Sequence, residues 1–336
     1  MRKESELSLK MKATAIAPAS IALIKYWGKR DDRLRLPLNP SVSMNLSACL
    51  TTTTVEFATG HRHDQVEMIG EEISEKEIAR VKDHLNWIRK LGKSRLSAKV
   101  VTKNSFPKSS GIASSASGFA ALTVAATAAL GLRLPERKLS TMARIGSGSA
   151  CRSIPDGFVE WKEGNTTGSS FAYSLYPPDW WDICDLLLIV SPGGKKVSST
   201  AGMAEAWTSP FFEARLENIK DRIKKVKKAL KQKNFILLGE TTEEEAVNLH
   251  AVMMTQKPPL FYWNEGTMEI ILAVCEWRNQ GLPVYFTIDA GPNVHLITEG
   301  KNEKEVRGRI RSLKNVKDAI VNKPAKGAVL AENHLF

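Results

Sequence analysis

The chain has 336 residues, of which 43% are hydrophobic and 25% are charged, as in an ordinary globular protein long enough for two domains. It contains no apolar run of about 18 residues, so the sequence excludes a membrane-spanning helix. The net charge of +12 favours an anionic partner, which leaves nucleic acid, a membrane surface and a phosphorylated metabolite as alternatives.

The N-terminal segment 1–12 is basic and polar and lacks the apolar centre of a secretory signal, so we expect a cytoplasmic protein. The four cysteines show no CxxC spacing, which predicts buried thiols instead of a zinc site or a disulfide framework. His61 and His63 are the only near pair of histidines, and Gly60 beside them predicts a polar turn. The sequence therefore predicts no metal site built from cysteine or histidine.

The first informative segment begins with alternating apolar residues from Ala13, which predict a strand that leads into the sequence KYWGKR. Lys25, Lys29 and Arg30 place three cations within six residues, with Tyr26 among them. Such a cluster can hold a substrate phosphate through charge-assisted hydrogen bonds. A basic surface turn explains the same residues equally well.

Regular patterns continue to the middle of the first half. They predict strands over Val42–Leu46, Thr51–Phe57 and Gln65–Ile69, a helix over Ser74–Leu91 and a strand over Ser97–Thr102. We expect the strand Gln65–Ile69 to pair with the strand Thr51–Phe57. Ser74 and Glu77 predict a capping box at the start of the helix, and Gly92 predicts its C-cap.

A glycine- and serine-rich stretch, Pro107–Gly131, follows the last of these strands and continues into an alanine-rich helical pattern. Gly111 allows backbone N–H groups to close around an anion, and the first turn of a helix adds unpaired donors and the positive end of its dipole. Ser114 and Ser115 can donate further hydrogen bonds or hold a metal that is bound to phosphate. The stretch is not a Walker A loop, and a plain linker before a buried helix is the alternative interpretation.

A second donor-rich turn lies within Ala143–Trp161, where Ser147 and Ser149 alternate with glycines and Arg152 follows. Arginine suits the bidentate recognition of phosphate or carboxylate better than lysine does. The residues Phe158–Trp161 then predict a strand. Two glycine–serine turns together with the KYWGKR segment favour a phosphate-binding protein.

The composition changes after the apolar strand Asp185–Val190, and we predict two domains, residues 1–190 and 191–336. In the second half, Asn218–Lys233 is rich in lysine, but its apolar residues recur at helical spacing. Because no aromatic residues alternate with the lysines, the pattern favours a solvated helix face over a membrane or RNA contact.

Asp289 is the strongest candidate for a catalytic residue in the second half. It directly follows the apolar strand Val284–Ile288 and precedes Ala-Gly-Pro, so a strand would hold its carboxylate rigidly as a base. A turn organised by the aspartate side chain itself explains the position equally well. Another strand is predicted over Val294–Thr298.

Together these segments resemble a known family. The pattern at Pro107–Ala116 is similar to a motif of the GHMP small-molecule kinase superfamily. Four further segments resemble the mevalonate diphosphate decarboxylase family within it, namely Ile24–Arg30, Ile145–Trp161, Lys195–Met203 and Thr287–Val294. The resemblance implies an α+β fold with two domains, an N-terminal half like ribosomal protein S5 and a ferredoxin-like C-terminal half, with the active cleft between them.

The resemblance also implies a reaction. ATP phosphorylates the tertiary 3-hydroxyl of a 5-phosphorylated mevalonate, the 3-phosphate departs and CO2 is lost, which leaves an isopentenyl product, ADP and phosphate. Phosphorylation is needed because a tertiary hydroxyl is a poor leaving group and phosphate is a good one. The implied cofactors are ATP and Mg2+, and the implied partner is a small phosphorylated acid, not nucleic acid or a membrane. The resemblance leaves a homodimer open.

The family's residue roles carry over onto matching positions of this sequence. Asp289 would orient the 3-hydroxyl and accept its proton, and Lys25 would assist the transferred phosphoryl group. The substrate would be held by Tyr26, Lys29, Ser147, Ser149, Arg152, Ser199 and Met203. The nucleotide would contact Asn104, Ser105, Gly111, Ala113, Ser114 and Ser115, with Ser115 also binding the metal.

Two departures from the family pattern bear on the substrate. Asp156 adds a carboxylate after the ACRS sequence, and Thr200 stands where some bacterial members have an arginine that reaches the diphosphate. Both favour (R)-5-phosphomevalonate over 5-diphosphomevalonate, which remains the alternative. Lys108 is a further difference, without an assigned role.

Two alternatives belong to other functional classes. One is a GHMP kinase that stops after 3-phosphorylation, which the presence of Asp289 argues against. The other is a basic RNA-binding protein built on an S5-like domain, which the ordered phosphate motifs disfavour.

Overall fold

Two β-sheets organise the chain in the computed structural model, which describes residues 11–106, 114–190 and 197–336. The first sheet has seven strands and the second has four. The first comprises β1 Met11–Ile24, β4 Ser41–Ala58, β5 Gln65–Met68, β6 Ser97–Asn104, β7 Phe158–Trp161, β8 Ala172–Tyr176 and β13 Val329–Ala331. The second comprises β9 Ile183–Ile189, β10 Tyr285–Thr287, β11 Val294–Glu299 and β12 Asp318–Asn322. A separate short hairpin joins β2 Lys29–Asp31 to β3 Leu36–Pro37.

The strand order of the first sheet is β13-β1-β4-β6-β5, with β7 pairing to β4 and β8 to β7. The predicted pairing of Gln65–Ile69 with Thr51–Phe57 is wrong. The structure pairs β5 in parallel with β6, so that Gln65 lies opposite Lys99. The reason is that β6 already occupies this edge of β4. The whole of β6 pairs there, from Thr51 opposite Asn104 to Ala58 opposite Ser97.

Eight α-helices pack on these sheets within the described residues. They are α1 Glu75–Gly92, α2 Ser114–Ala129, α3 Glu136–Gly146, α4 Ser199–Ala204, α5 Phe212–Gln232, α6 Phe235–Thr255, α7 Glu265–Asn279 and α8 Glu303–Ile310. Among them, no helix is both long and apolar enough to cross a membrane. The alanine-rich α2 is buried on nearly every side against β1 and β4, which explains its lack of a polar face.

The capping box predicted for α1 is confirmed, since Ser74 and Glu77 bond each other's backbone N–H groups. The predicted C-cap at Gly92 is wrong: Gly92 is the last helical residue, and Lys93 takes the left-handed conformation with φ 50°. Packing explains this glycine, because a Cβ atom there would lie 2.9 Å from Leu130. The lysine-rich helix is confirmed as part of α5, with Ile219 and Val226 buried and its lysines mostly on the exposed side.

A shared core joins the two sheets. It contains Met44 of β4, Leu187 of β9 and Ile219 of α5. Strand β9 lies before residue 190 but pairs with β11 and β12 of the second sheet. The last strand, β13, returns to pair with β1 of the first. The division into residues 1–190 and 191–336 stays a prediction.

Candidate active site

A cavity of about 800 Å³ opens where the end of β1, the β2–β3 hairpin, α2, α4 and the end of β10 meet. It gathers most of the predicted site into one place. The predicted residues that line it are Lys25, Tyr26, Lys29, Ser114, Ser115, Ser147, Ser149, Arg152, Ser199, Met203 and Asp289. The fold therefore brings the carboxylate after β10 to the serines at the start of α2 and in the turn after α3.

Lys25 and Asp289 form the centre of the cavity. The Lys25 Nζ donates to Asp289 Oδ1 at 2.7 Å and to the Ala22 carbonyl at 2.8 Å. The lysine side chain is 2% exposed, whereas the aspartate is 30% exposed and opens to the cavity. Burial lowers the pKa of Lys25, although the charge of Asp289 opposes this shift. Burial alone would raise the pKa of Asp289, but the charge and hydrogen bond of Lys25 outweigh it and hold that pKa below its usual range.

The backbone of Lys25 is held by α5 and α6. The Glu245 Oε1 accepts from the Lys25 N–H at 3.1 Å, and Arg215 Nη2 donates to the Lys25 carbonyl at 3.3 Å. Arg215 and Glu245 also pair with each other, both with fully buried side chains, and Arg222 Nη1 donates to Glu245 Oε2 at 3.1 Å. Asn39 Nδ2 donates to the same Lys25 carbonyl at 2.9 Å.

Sequence reasoning missed this support. A signal was present, because Glu245 lies four residues before Leu249 and seven before Val252, on the buried face of α6. Arg215 likewise precedes Ile219 by four residues on the buried face of α5. A charge on an apolar helical face requires a buried partner, and the two helices supply each other's.

The turn after α3 forms the other end of the cavity. Arg152 lies in a short 3-10 helix, Gly148–Ser153, where its Nη1 donates to Ser41 Oγ at 2.8 Å and its buried Nε has no hydrogen-bond partner among the residues that the structure describes. Burial lowers the pKa of Arg152, an effect that nearby acidic groups partly offset. A Cβ at Gly148 would lie 2.9 Å from the Tyr26 ring, so only glycine lets the tyrosine lie this close. Burial raises the pKa of Tyr26, which keeps its hydroxyl protonated.

The unpredicted cavity residues include five charged ones: Glu71, Glu72, Glu77, Arg35 and Arg80. The Arg35 Nε donates to the Ile145 carbonyl at 2.9 Å, and the Arg80 Nη2 donates to the Gly146 carbonyl at 3.1 Å. Both arginines thus reach the end of α3 from separate elements. Spacing within the sequence gives no signal for this, because residues 35, 80 and 146 meet only through the tertiary fold.

The predicted nucleotide residues divide into three groups. Ser114 and Ser115 line the main cavity and an adjoining one of about 100 Å³, which Asn104 also lines. The Asn104 Nδ2 is buried there without a hydrogen bond. Ser105 lines neither cavity, since its hydroxyl bonds the Ala48 carbonyl and the Leu50 N–H, and its nucleotide contact stays a prediction. Gly111 and Ala113, like Lys108, lie outside the described residues.

The donors near Ser115 suit a magnesium ion that is bound partly by phosphate. In the described ranges, no three acidic, histidine or cysteine side chains are arranged to hold a metal by themselves. The Ser115 hydroxyl lies 3.2 Å from Ser147 Oγ, and the carboxylates of Glu71 and Glu72 line the same cavity. Oxygen donors of this kind, few in number and supplemented by phosphate oxygens, are what Mg2+ prefers.

Comparison with known proteins identifies the family. Residues 17–172 match the model of the diphosphomevalonate decarboxylase-like N-terminal domain, and residues 185–332 match that of the mevalonate 5-diphosphate decarboxylase C-terminal domain. The chain belongs to the diphosphomevalonate decarboxylase family. It is therefore an enzyme of the carboxy-lyase type.

The relatives are similar over nearly their whole length. Diphosphomevalonate decarboxylase of Ganoderma lucidum is 35% identical over 319 residues, which cover 88% of this chain and 80% of that one. The mevalonate diphosphate decarboxylase of Staphylococcus aureus has a TM-score of 0.91 at 35% identity, covering 96% of this chain and 98% of that one. A structure of MDDEF in complex with MVAPP, AMPPCP and magnesium has a TM-score of 0.91 at 37% identity, covering 96% and 99%.

These similarities confirm the predicted α+β, two-domain fold of the GHMP superfamily. They also favour the diphosphate alternative over the monophosphate that the sequence departures indicated. The structure removes one of those two arguments. Asp156 does not line the described cavity, because its carboxylate accepts from the Gly327 N–H at 2.6 Å.

Proposed function

We propose that this chain catalyses the ATP-dependent decarboxylation of 5-diphosphomevalonate to isopentenyl diphosphate, with release of ADP, phosphate and CO2. The observation that carries the proposal is the ion pair between the buried Lys25 and the half-buried Asp289, 2.7 Å apart, in a cavity whose other walls carry Ser115, Ser147 and Arg152. That cavity has room for two phosphorylated ligands side by side, and its cations match their charge. Relatives that are diphosphomevalonate decarboxylases support the choice of substrate.

Asp289 is assigned to the 3-hydroxyl of the substrate. Its Oδ1 is bonded to Lys25, which leaves Oδ2 for the hydroxyl. As the oxygen attacks the terminal phosphorus of ATP, its proton passes to this carboxylate, and ADP leaves with the electrons of the broken P–O bond. The low pKa of Asp289 favours release of this proton to solvent, which returns the carboxylate to its ionised form, and its charge then stabilises the positive charge that develops at C3 when the 3-phosphate departs. The electron pair of the breaking bond to the carboxylate carbon then forms the alkene.

Lys25 has two tasks in this scheme. Its ammonium fixes the orientation of Asp289, and it lies where the transferred phosphoryl group would pass. Since Glu245 and Arg215 hold the Lys25 backbone from both sides, the ammonium does not need to be ordered when substrate binds.

ATP is assigned to the serine-rich start of α2. Ser114 and Ser115, the first two residues of this helix, line the main cavity, where their hydroxyls and the first N–H groups of the helix would bind phosphate oxygens. Ser115 with Glu71 or Glu72 would hold Mg2+, which when bound neutralises the phosphate charge. The adjoining small cavity, lined by Asn104 and apolar residues such as Val66, is assigned to the base. A related protein in complex with AMPPCP and magnesium supports these assignments.

The substrate acid is assigned to the turn after α3. Ser147, Ser149 and Arg152 would bind its carboxylate and its 5-phosphate end together with Tyr26 and Lys29. Ser199 and Met203 in α4 close the cavity on the side of the second sheet. A cytoplasmic location and a homodimer stay predictions alongside this assignment.

The test is steady-state turnover with 5-diphosphomevalonate and, separately, 5-phosphomevalonate, measuring ADP and CO2 in the same reaction. We expect equal amounts of ADP and CO2, with the higher kcat/KM for the diphosphate. ADP formation without CO2 would show a kinase that stops at 3-phosphorylation. A higher kcat/KM for the monophosphate would disprove the substrate assignment while leaving the decarboxylase assignment intact.

A further inference from the structure

Arg35 occupies an unusual position in the turn between β2 and β3. Its backbone φ is +50°, in the left-handed region that residues with a Cβ seldom adopt. The next residues, Leu36 and Pro37, are buried and fix the chain direction after the turn. As a result the Arg35 side chain lines the active-site cavity, whereas Arg33, two residues earlier, is exposed beside Trp87.

The Arg35 side chain is anchored at one nitrogen only. Its Nε donates to the Ile145 carbonyl at 2.9 Å, two residues before Ser147. Within the described ranges, neither Nη group makes a hydrogen bond and no carboxylate forms an ion pair with this guanidinium. The neighbouring Lys29 differs, because it is paired with Asp32. Arg35 therefore offers the cavity a positioned cation with unused donors.

A second guanidinium lies close to it. Arg80 reaches the Gly146 carbonyl from α1, next to the Ile145 carbonyl that holds Arg35. Burial lowers the pKa of Arg80, and the charge of Arg35 lowers it further, while the charge of Glu77 partly opposes this shift. The same two arginines add to the effect of burial in lowering the pKa of His84 to about 3. Like charges held together in this way cost free energy until an anion binds between them.

We propose that Arg35 binds the terminal phosphate of the substrate's diphosphate and thereby selects the diphosphate over the monophosphate, an inference that rests on the proposed function. The two acids share a carboxylate, a 3-hydroxyl and the first phosphate. The protein can therefore distinguish them only by the terminal phosphate. Arg35 lies beside Tyr26 and the Ser147 turn, which are assigned to the phosphate end of the substrate. It also supplies a cation near that end in a chain that has Thr200 where some bacterial members of the family have an arginine and others have threonine.

The experiment compares Arg35→Gln with the matched control Arg33→Gln, which removes the same charge from the same turn outside the cavity. For each variant, kcat/KM is measured with 5-diphosphomevalonate and with 5-phosphomevalonate at saturating ATP and Mg2+. We expect Arg35→Gln to lower kcat/KM for the diphosphate by about 10- to 100-fold, as expected for loss of a charge-assisted hydrogen bond, and that for the monophosphate far less. Arg33→Gln should leave both values near wild type, and Arg35→Lys should restore part of the preference.

Several results would overturn the inference. If Arg35→Gln lowers both kcat/KM values by the same factor, Arg35 only supports the Ile145 turn. If the variant raises the KM for ATP and leaves the substrate preference unchanged, the anion it binds is the nucleotide. A wild-type enzyme that prefers the monophosphate would overturn the proposed function first, and this is visible before any variant is made. Thermal unfolding of each variant identifies misfolding, and Arg35→Lys then carries the test, since its preference must lie between those of wild type and Arg35→Gln.

Discussion

The two ends of the active-site cavity balance their charges in opposite ways. At one end, Lys25 is paired with Asp289 and its backbone is bonded to Glu245, all from within the chain. At the other end, Arg35 donates only to a backbone carbonyl and Arg152 only to the hydroxyl of Ser41, and among the described residues neither has a carboxylate partner within 4.0 Å. We call these the paired end and the open end.

The difference shows how the chain divides catalysis from recognition. The groups of the paired end need a fixed geometry before substrate arrives, because catalysis by positioning gains nothing from groups that must first be ordered. The groups of the open end gain their counter-charge from the ligand, so binding there relieves a repulsion that the free protein contains. Substitutions at the paired end should therefore change kcat, and those at the open end should change affinity.

The largest effect is expected from Asp289→Asn at the paired end. The amide cannot accept the hydroxyl proton as a base or carry the negative charge that faces C3. We expect kcat to fall by about 100- to 10,000-fold, with ADP and CO2 formation lost together.

The control for this variant is ATP binding, measured by calorimetry or by a fluorescent analogue. ATP affinity should stay close to wild type, since the nucleotide is assigned to α2 and not to Asp289. Turnover near the wild-type rate would remove Asp289 from the mechanism. A loss of ATP affinity as large as the loss of kcat would show that Asp289 also contributes to nucleotide binding.

A second variant tests whether the paired end depends on the helices behind it. Glu245→Gln leaves Arg215 and Arg222 without their shared buried carboxylate. Breaking one partner of a buried pair costs about 3–5 kcal/mol, so the thermal midpoint should drop. The kcat should also fall with little change in the substrate KM, because the neutral amide holds the Lys25 N–H and Arg215 less firmly than the carboxylate does.

Glu244 provides the matched control. It is the preceding residue of α6, its side chain is 53% exposed, and among the described residues it pairs only with Arg222. Glu244→Gln should change the midpoint and kcat little, as expected for an ion pair near the surface. If the two variants change kcat and the thermal midpoint equally, the hydrogen bond from the Lys25 backbone to Glu245 does not contribute to catalysis.

The open end should bind an anion that takes no part in the reaction. We expect inorganic pyrophosphate, added without metal, to raise the thermal midpoint of the wild type, with a stabilisation of about 2.7 kcal/mol at a hundred times its Kd. Arg152→Gln should lose most of this shift, and Asp289→Asn should keep it. An equal shift in Arg152→Gln would place the pyrophosphate elsewhere in the protein.

Much of the paired end was predictable because its residues follow regular elements. Asp289 comes two residues after the end of β10 and Lys25 comes directly after β1, so the apolar patterns of the two strands located both before any contact was known. The predicted capping box of α1 and the buried face of α5 were also correct, since both depend on local spacing.

The remaining features depend on contacts between distant segments. Arg35 and Arg80 meet at the end of α3 through backbone carbonyls, which no side-chain pattern records. Asp156 looked like a carboxylate near the substrate, but its turn directs it to Gly327 near the C-terminus. The partner of β5 was mispredicted because hydrophobic alternation identifies strands without giving their neighbours.

The smallest effect concerns two buried histidines, one behind each end. His84 Nε2 is 2.8 Å from Thr123 Oγ1 behind the open end, and His250 Nε2 is 3.2 Å from the Asp289 carbonyl behind the paired end. In each ring Nδ1 is buried without a hydrogen bond. Burial lowers the pKa of both to about 3, with help from Arg35 and Arg80 at His84 and from Lys25 at His250.

Since the unfolded chain binds these protons near pH 6.5, it takes up more protons than the folded protein between about pH 6.5 and 3. The contribution of the two neutral histidines to the free energy of unfolding is therefore complete above pH 6.5 and is lost as the pH falls. At pH 5 the loss is about 2 kcal/mol per histidine. We expect His84→Gln or His250→Gln to remove about half of the fall in thermal midpoint between pH 7 and pH 5, whereas the exposed His63→Gln should leave it unchanged. Because arginines surround His84 and Asp289 lies beside His250, added pyrophosphate should weaken the pH dependence that His84 causes and leave that of His250 as it was. If pyrophosphate changed the pH dependence due to both histidines equally, the charges at each end would influence both histidines.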